Sequence, residues 1–268
     1  MKTTDLSTSA PTTRRFSRLL GWLVLAGAAL LAGCASGPNA NPRDPFEPFN
    51  RGMAKFNDAL DDAVVKPVTT AYVNTTPSMV RQGVSNFFAN LSDLWSGVNS
   101  VLQLHGEDAA NSFLRVGVNT VMGLGGLIDI ASDAGIPRRT EDFGRTLGRW
   151  GVPTGPYVVL PLLGPSTLRD TVALSADIHG NLIDHVHDVP ARNTLYVLRV
   201  VDTRAKLLRA SSILEEASID KYSFTRDAVL QMRGAKLDDA DDDSDGGDHR
   251  PSSRQDLPLF RWNWGIKW

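Results

Sequence analysis

Residues 107–128 read EDAANSFLRVGVNTVMGLGGLI, a stretch that is apolar almost all round. Asn111, Arg115 and Asn119 fall at i, i+4 and i+8. On a helix they form one narrow polar stripe along an otherwise greasy rod. Such a helix either sits in a core or turns most of its surface to lipid while its stripe faces water. At roughly 20 residues it has the length of a membrane span, but Gly123, Gly125 and Gly126 interrupt it. Nothing else downstream of residue 34 approaches the length of an uncharged span.

The neighbouring segments also read as helix. Val80, Val84, Phe87, Phe88, Leu91, Leu94, Trp95, Val98 and Leu102 recur every three or four residues, which predicts helix from Ser78 to about Leu104. That length suits one long helix or two joined near Asn90 to Asp93. Upstream, Met53, Phe56, Leu60, Ala63 and Val64 predict an amphipathic helix stopped by Pro67. Downstream, Gly135 to Ser166 is so dense in glycine and proline that ordered loops with short apolar pieces, such as Tyr157 to Leu160, are expected. Two more helices follow, about Thr194 to Glu216 and about Asp220 to Arg233. Strands alternating with helices are missing from this pattern, which disfavours a parallel α/β enzyme fold and points to the all-α class.

The two ends have different characters. Lys2, Arg14, Arg15 and Arg18 precede an apolar run from Leu19 to Leu31, the layout of a secretory signal peptide. Leu31-Ala32-Gly33-Cys34 follows, so the chain's one cysteine stands where a bacterial lipobox places the thiol that is acylated and becomes the mature N-terminus. Ala35, which is not aspartate, favours outer-membrane over inner-membrane sorting, and several acyl chains on one residue give stable anchoring. At the other end, DDADDDSDGGD from Asp238 to Asp248 offers nothing to bury and is expected to be a disordered acidic linker. Its Asp241-x-Asp243-x-Asp245-Gly246 opens like a calcium loop, but Ser252 stands where the bidentate glutamate belongs. Phe260, Trp262, Trp264, Ile266 and Trp268 then alternate as in a strand with one aromatic face, suited to a bilayer surface or to the edge of a β-rich partner. The expected organisation is 1–33 cleaved leader, 34–43 lipidated tether, 44–237 helical domain, 238–257 linker and 258–268 aromatic segment.

The totals exclude several functions. With 28 basic and 30 acidic residues in 268, the chain lacks the basic excess of a nucleic-acid binder. A lone cysteine allows neither a disulfide framework nor a cysteine-rich metal site. Ser166 lies in Gly164-Pro165-Ser166-Thr167-Leu168, which lacks the second glycine of a nucleophile elbow. His185 and His187 lack further ligands at zinc spacing, and Gly123-x-Gly125-Gly126 follows a helical rather than a strand pattern, so neither a metal nor a nucleotide cofactor is expected. Glu141-Asp142 beside Arg138-Arg139 reads as a surface salt-bridge cluster rather than an acid/base pair.

A series of spaced motifs resembles the MlaA (VacJ) family of bacterial outer-membrane lipoproteins. It begins with Asp44-Pro45-Phe46-Glu47-Pro48-Phe49-Asn50-Arg51 and continues with Arg115-x-x-x-Asn119-Thr120, Gly123-x-Gly125-Gly126-x-Ile128-Asp129 and Thr140-Glu141-Asp142-Phe143-Gly144. It runs on through Thr146-Leu147-Gly148-x-x-Gly151, Gly155-Pro156-Tyr157-x-x-Leu160-Pro161-x-x-Gly164-Pro165-Ser166-x-x-Arg169-Asp170 and Thr203-Arg204-Ala205-x-Leu207-Leu208. The resemblance implies a ring-like single domain of amphipathic helices lying in the inner leaflet of the outer membrane, with Gly/Pro-rich loops and a flexible C-terminal tail. It further implies non-enzymatic removal of misplaced outer-leaflet phospholipids through a polar channel, with a trimeric porin and a soluble periplasmic lipid carrier as partners. On that basis Asn111, Arg115 and Asn119 are expected to line the channel, Arg115 meeting lipid phosphate. The alternative for Arg115 is a structural salt bridge. Gly123, Gly125 and Gly126 are expected to act as a gating hinge. A second reading of the whole chain is a structural or assembly partner of an outer-membrane barrel, with the aromatic tail as the main contact. A third, a lipid hydrolase, lacks a recognisable nucleophile and base.

Overall fold

The computed structural model describes residues 41–242; the leader, Cys34, the first part of the tether and the tail from 243 onward lie outside them. The chain runs through α1 (Glu47–Leu60), a π turn (Asp61–Val65), α2 (Lys66–Thr75), α3 (Ser78–Leu102), α4 (Gly106–Val121) and a short α5 (Ile130–Asp133). It continues through α6 (Phe143–Arg149), a hairpin of β1 (Tyr157–Leu160) and β2 (Gly164–Thr167), α7 (Leu168–His179), a 3-10 turn (Leu182–His185), α8 (Val189–Ala217) and α9 (Lys221–Asp242). Among the described residues the only sheet is this antiparallel pair, with Tyr157 opposite Thr167 and Leu160 opposite Gly164. The fold is therefore predominantly helical, and no helix among the described residues is long and apolar enough to cross a membrane.

The organising unit is the helical hairpin α3–α4. Its helices approach closely because Gly97 leaves room for the ring of Phe113, which a Cβ there would meet at 2.8 Å. Asn90, Asp93, Ser96, Asn99, Ser100 and Gln103 are all buried on one face of α3 or at its C-terminal end. That spacing of three and four residues defines a polar stripe turned inward. Met79, Val80, Val101 and Leu102 are exposed instead. Among the described residues, buried polar and charged side chains outnumber buried hydrophobic ones about two to one. A water-soluble domain shows the opposite arrangement.

The hairpin depends on α1. Asn50 donates through Nδ2 to the Tyr157 carbonyl (3.0 Å) and accepts at Oδ1 from the Val159 amide (2.8 Å). Two helical turns later, Asn57 does the same for the Leu160 carbonyl (2.9 Å) and the Leu162 amide (2.8 Å). Two asparagines at i and i+7 thus replace a third strand and satisfy an edge that would otherwise be left unpaired.

Several expectations are revised. Pro67 does not stop a helix: it occupies the first turn of α2, where its missing N–H is one of the orphans anyway. The π turn before it, closed by the Lys66 amide on the Asp61 carbonyl, keeps right-handed helical backbone angles at both ends, so α1, the π turn and α2 run on without a break. Residues 78–102 form one helix rather than two. The Gly/Pro-rich stretch contains α6 and the hairpin, and α7 is an additional helix whose N-cap, Thr167, accepts from the Asp170 amide at 3.2 Å. Helix α9 continues to Asp242, five residues into the expected linker, no proline standing between Arg233 and Asp242 to stop it. Replacing Asn50 with leucine leaves the Tyr157 carbonyl and Val159 amide buried without partners. Denaturant unfolding is expected to report a loss of about 2–4 kcal/mol from these two groups.

Candidate functional site

The polar stripe of the opening sequence meets the polar face of α3 in a closed cluster. Arg115 on α4 is 1 % exposed. Its Nε donates to Asp93 on α3 (3.2 Å), one terminal nitrogen to the Ile136 carbonyl (2.8 Å), and the other to both carboxylate oxygens of Asp129 (2.9 and 3.0 Å) and to the Ser132 hydroxyl (3.2 Å). All three guanidinium nitrogens are engaged by the protein. In this structure Arg115 has the arrangement of the structural salt bridge. Asn119, one turn on, donates to Asp129 (3.0 Å) and accepts from the Ala131 amide (2.8 Å). Asn111, one turn before Arg115, is half-buried and stands apart from this cluster.

Asp129 is the hub on the loop side. It caps α5 through the Ser132 amide (3.1 Å) and accepts from the Ser132 hydroxyl (2.6 Å). Burial raises its pKa, but the bonds from Ser132 and Asn119 and the charge of Arg115 outweigh that and hold it near 2. Asp93 behaves oppositely: burial pushes its pKa up in spite of Arg138, which donates at 2.7 Å, and Arg115.

The glycines between the stripe and Asp129 serve close approach. The backbone passes Asn90 so tightly at Gly126 (φ +91°) that a Cβ would lie 2.7 Å from the Asn90 amide nitrogen. A Cβ on Gly123 would lie 2.1 Å from the Ile128 carbonyl oxygen. Amides of Gly125 and Gly126 close on the carbonyls of Thr120 and Asn119 (3.0 and 2.8 Å). In this structure the segment is a tightly bonded turn; the Gly123, Gly125 and Gly126 hinge has the conformational freedom at Gly125 and Gly126 but is held by these contacts.

Other flagged residues also find structural roles. Asp142 is buried, caps α6 through the Arg145 amide (2.9 Å) and pairs with Arg233 of α9 (2.8 Å). Arg138 pairs with Asp93 and Arg139 with Asp108. The expected surface cluster at 138–142 is thus a set of ties to other elements. The Ser166 hydroxyl lies 3.2 Å from that of Thr171, not against a base, and the His185 ring faces the Asn181 carbonyl. Among the described residues no group of His, Cys, Asp and Glu is placed to hold a metal ion.

Sequence reading did not join Asp93, Asp129 or Arg138 to Arg115, although Asp129 stood in a quoted motif and Arg138 in the expected surface cluster; together they complete the Arg115 cluster. The signal for Asp93 lay in the polar residues at three- and four-residue spacing along 90–103, which the apolar periodicity of the same helix masked. A second feature is a cavity of about 230 Å³ between α1, the hairpin and the start of α9, with Tyr157 and Val159 among its walls and Arg51, Lys55 and Lys221 among its charged residues.

The family model described as "MlaA lipoprotein" matches residues 42–236. This chain belongs to the MlaA lipoprotein family. MlaA relatives include the Escherichia coli (strain K12) intermembrane phospholipid transport system lipoprotein MlaA, 39 % identical over 217 residues that cover 76 % of this chain and 83 % of that protein. The Haemophilus influenzae MlaA of the same designation is 32 % identical over 230 residues, covering 80 % and 89 %. A solved chain from work on the structural basis for maintenance of bacterial outer membrane lipid asymmetry superposes with a TM-score of 0.64 at 36 % identity, covering 72 % of this chain and 98 % of that one. Membership of the MlaA family places the chain in the cell envelope. Within the matched range Asp44 and Asn50 meet at 2.7 Å, and Arg115 and Asn119 converge on Asp129.

Removing Arg115 leaves Asp93 and Asp129 facing each other without their shared cation. Arg115→Met is expected to lower unfolding free energy by about 3–5 kcal/mol, measured by denaturant titration in detergent. A purely lipid-binding arginine would leave stability unchanged. Because Asp129 has a lower pKa folded than unfolded, its contribution is fully present above about pH 4 and is lost as pH falls toward 2. Asp129→Asn should flatten the stability profile across that window.

Proposed function

We propose that this protein is an outer-membrane lipoprotein that removes mislocalised phospholipids from the outer leaflet and passes them to a periplasmic carrier. The observation that carries this reading is the inverted distribution of polarity. A body whose interior is largely a hydrogen-bonded polar network and whose surface carries many large exposed hydrophobic side chains suits a site embedded in lipid, where interior polar groups must find their partners within the protein. It also suits moving an amphiphile, whose charged head needs a polar route beside a hydrophobic surface.

The apolar rim supports the same reading. Val121 and Met122 at the end of α4, then Leu124, Leu127 and Ile128 in the following turn, are all exposed. Leu104 and Leu124 occupy left-handed backbone positions (φ +62° and +54°), where glycine is the unstrained choice, and are 91 % and 70 % exposed. A left-handed leucine costs about 1–2 kcal/mol, and neither side chain offsets this by burial within the described residues. Insertion into a bilayer gives these tips an apolar environment. Several acyl chains on Cys34 would hold the body at the membrane, the envelope partners being a trimeric porin and the soluble carrier. Transport without catalysis accords with the engagement of Ser166 and the acidic residues in structural bonds.

The test is outer-leaflet phospholipid content in a deletion strain complemented with wild type, Cys34→Ser or no gene. Wild type is expected to restore low surface phospholipid and Cys34→Ser to fail. Equal surface phospholipid in the deletion and complemented strains would overturn the reading.

A further inference from the structure

The cavity between α1, the hairpin and the start of α9 shares no lining residue with the Arg115 cluster, and the bonds that Asn57, Tyr157 and Val159 make beside it leave the hollow itself open. Its walls include Ala54 of α1 with Tyr157 and Val159 of β1, and its rim carries Ile219, which is fully exposed. An isoleucine wholly exposed at the lip of an apolar hollow extends the hydrophobic surface outward.

The charges beside it are unequal. Arg51 is matched by Asp220 at 2.7 Å and Lys221 by Asp58 at 3.0 Å. Lys55, also lining the cavity, has no carboxylate partner among the described residues. One surplus positive charge therefore stands next to an apolar hollow. At about 230 Å³ the hollow is smaller than the roughly 300–1,000 Å³ that encloses a whole small ligand, so it suits one end of a larger amphiphile.

We infer that this cavity is a binding site for an anionic phospholipid, whose phosphate pairs with Lys55 while the adjoining part of one acyl chain lies against Ala54, Tyr157 and Val159. Lys55 is exposed at the cavity, where a singly anionic phosphodiester gives it a counter-charge that a neutral amphiphile does not. This inference rests on the phospholipid-transport reading and adds a specific holding site to it.

The experiment is photocrosslinking of full-length lipidated protein in detergent with phosphatidylglycerol carrying an acyl-chain diazirine, followed by peptide mapping. Labels are expected within residues 53–58 and 219–225. Lys55→Glu should reduce that labelling about tenfold at unchanged melting temperature, and Lys55→Arg should retain it. Diacylglycerol with the same diazirine should label weakly and without dependence on Lys55. Ala54→Trp, which fills the hollow without altering charge, should abolish labelling by either lipid. Labels confined to α3 and α4, or equal labelling by both lipids with no effect of Lys55→Glu, would overturn the assignment. Labelling that arises only after removal of residues 258–268 would make the chain's own aromatic segment the occupant, which also overturns it. If complementation restores lipid asymmetry while these labels fall elsewhere, the cavity assignment alone is lost; if complementation fails, the transport reading is lost with it.

Discussion

The inward polar face of α3 sets the terms for everything packed around it. A helix that buries Asn90, Asp93, Ser96, Asn99 and Ser100 has to find hydrogen-bond partners for them inside the protein, since each one left unmatched costs on the order of 1–3 kcal/mol. The surrounding elements supply partners for most of them, the Ser100 hydroxyl and the Asn90 side-chain oxygen being left without one among the described residues. Helix α4 brings Arg115 to Asp93, α6 brings the Thr146 hydroxyl to Asn99 at 2.8 Å, and the segment before α6 brings the Glu141 amide to Ser96 at 3.1 Å. The same helix offers Trp95 to Asp177 of α7 at 2.8 Å and Ser85 to Asp202 of α8 at 2.5 Å. Positions of four other helices thus follow from the needs of one.

A second set of ties is built on α1. Asp61, at the start of the π turn, forms a buried two-oxygen ion pair with Arg204 of α8 (2.9 and 2.7 Å). Asp44, just before α1, accepts from Tyr222 of α9 at 2.6 Å, and the Arg51 guanidinium lies 4.3 Å over the Tyr222 ring. Because these anchors are directional and charged rather than apolar, the outer surface is released from supplying the core and can remain hydrophobic. That exchange is what fits such a body to lipid.

The helices with clean three- and four-residue spacing, α3, α4 and α8, were legible in the sequence to within a few residues at most ends, and so was the polar stripe on α4. The role of that stripe was not. An arginine between two asparagines reads equally as a channel lining or as an internal clamp, and the choice depends on Asp93 and Asp129, which lie 22 and 14 residues away in the chain. Helices α6 and α7 escaped notice because their starts are marked by caps, Asp142 and Thr167, embedded in a glycine- and proline-rich background. The hairpin was visible only as the apolar piece Tyr157 to Leu160, since its edge is completed by side chains of α1 more than 100 residues earlier. The cavity beside Lys55 has no local signature, being assembled from three separate segments.

The central claim is that the exposed apolar rim lies in a bilayer while the polar cluster stays inside the protein. Since acylation would consume the thiol of Cys34, introduced cysteines become the reactive thiols, and spin labels placed one at a time at Val121, Leu124 and Lys206 in vesicle-reconstituted protein read depth directly. The account predicts that labels at Val121 and Leu124 are relaxed more strongly by oxygen than by a water-soluble nickel chelate, with the reverse at Lys206. Preferential relaxation by the nickel chelate at all three positions would contradict it.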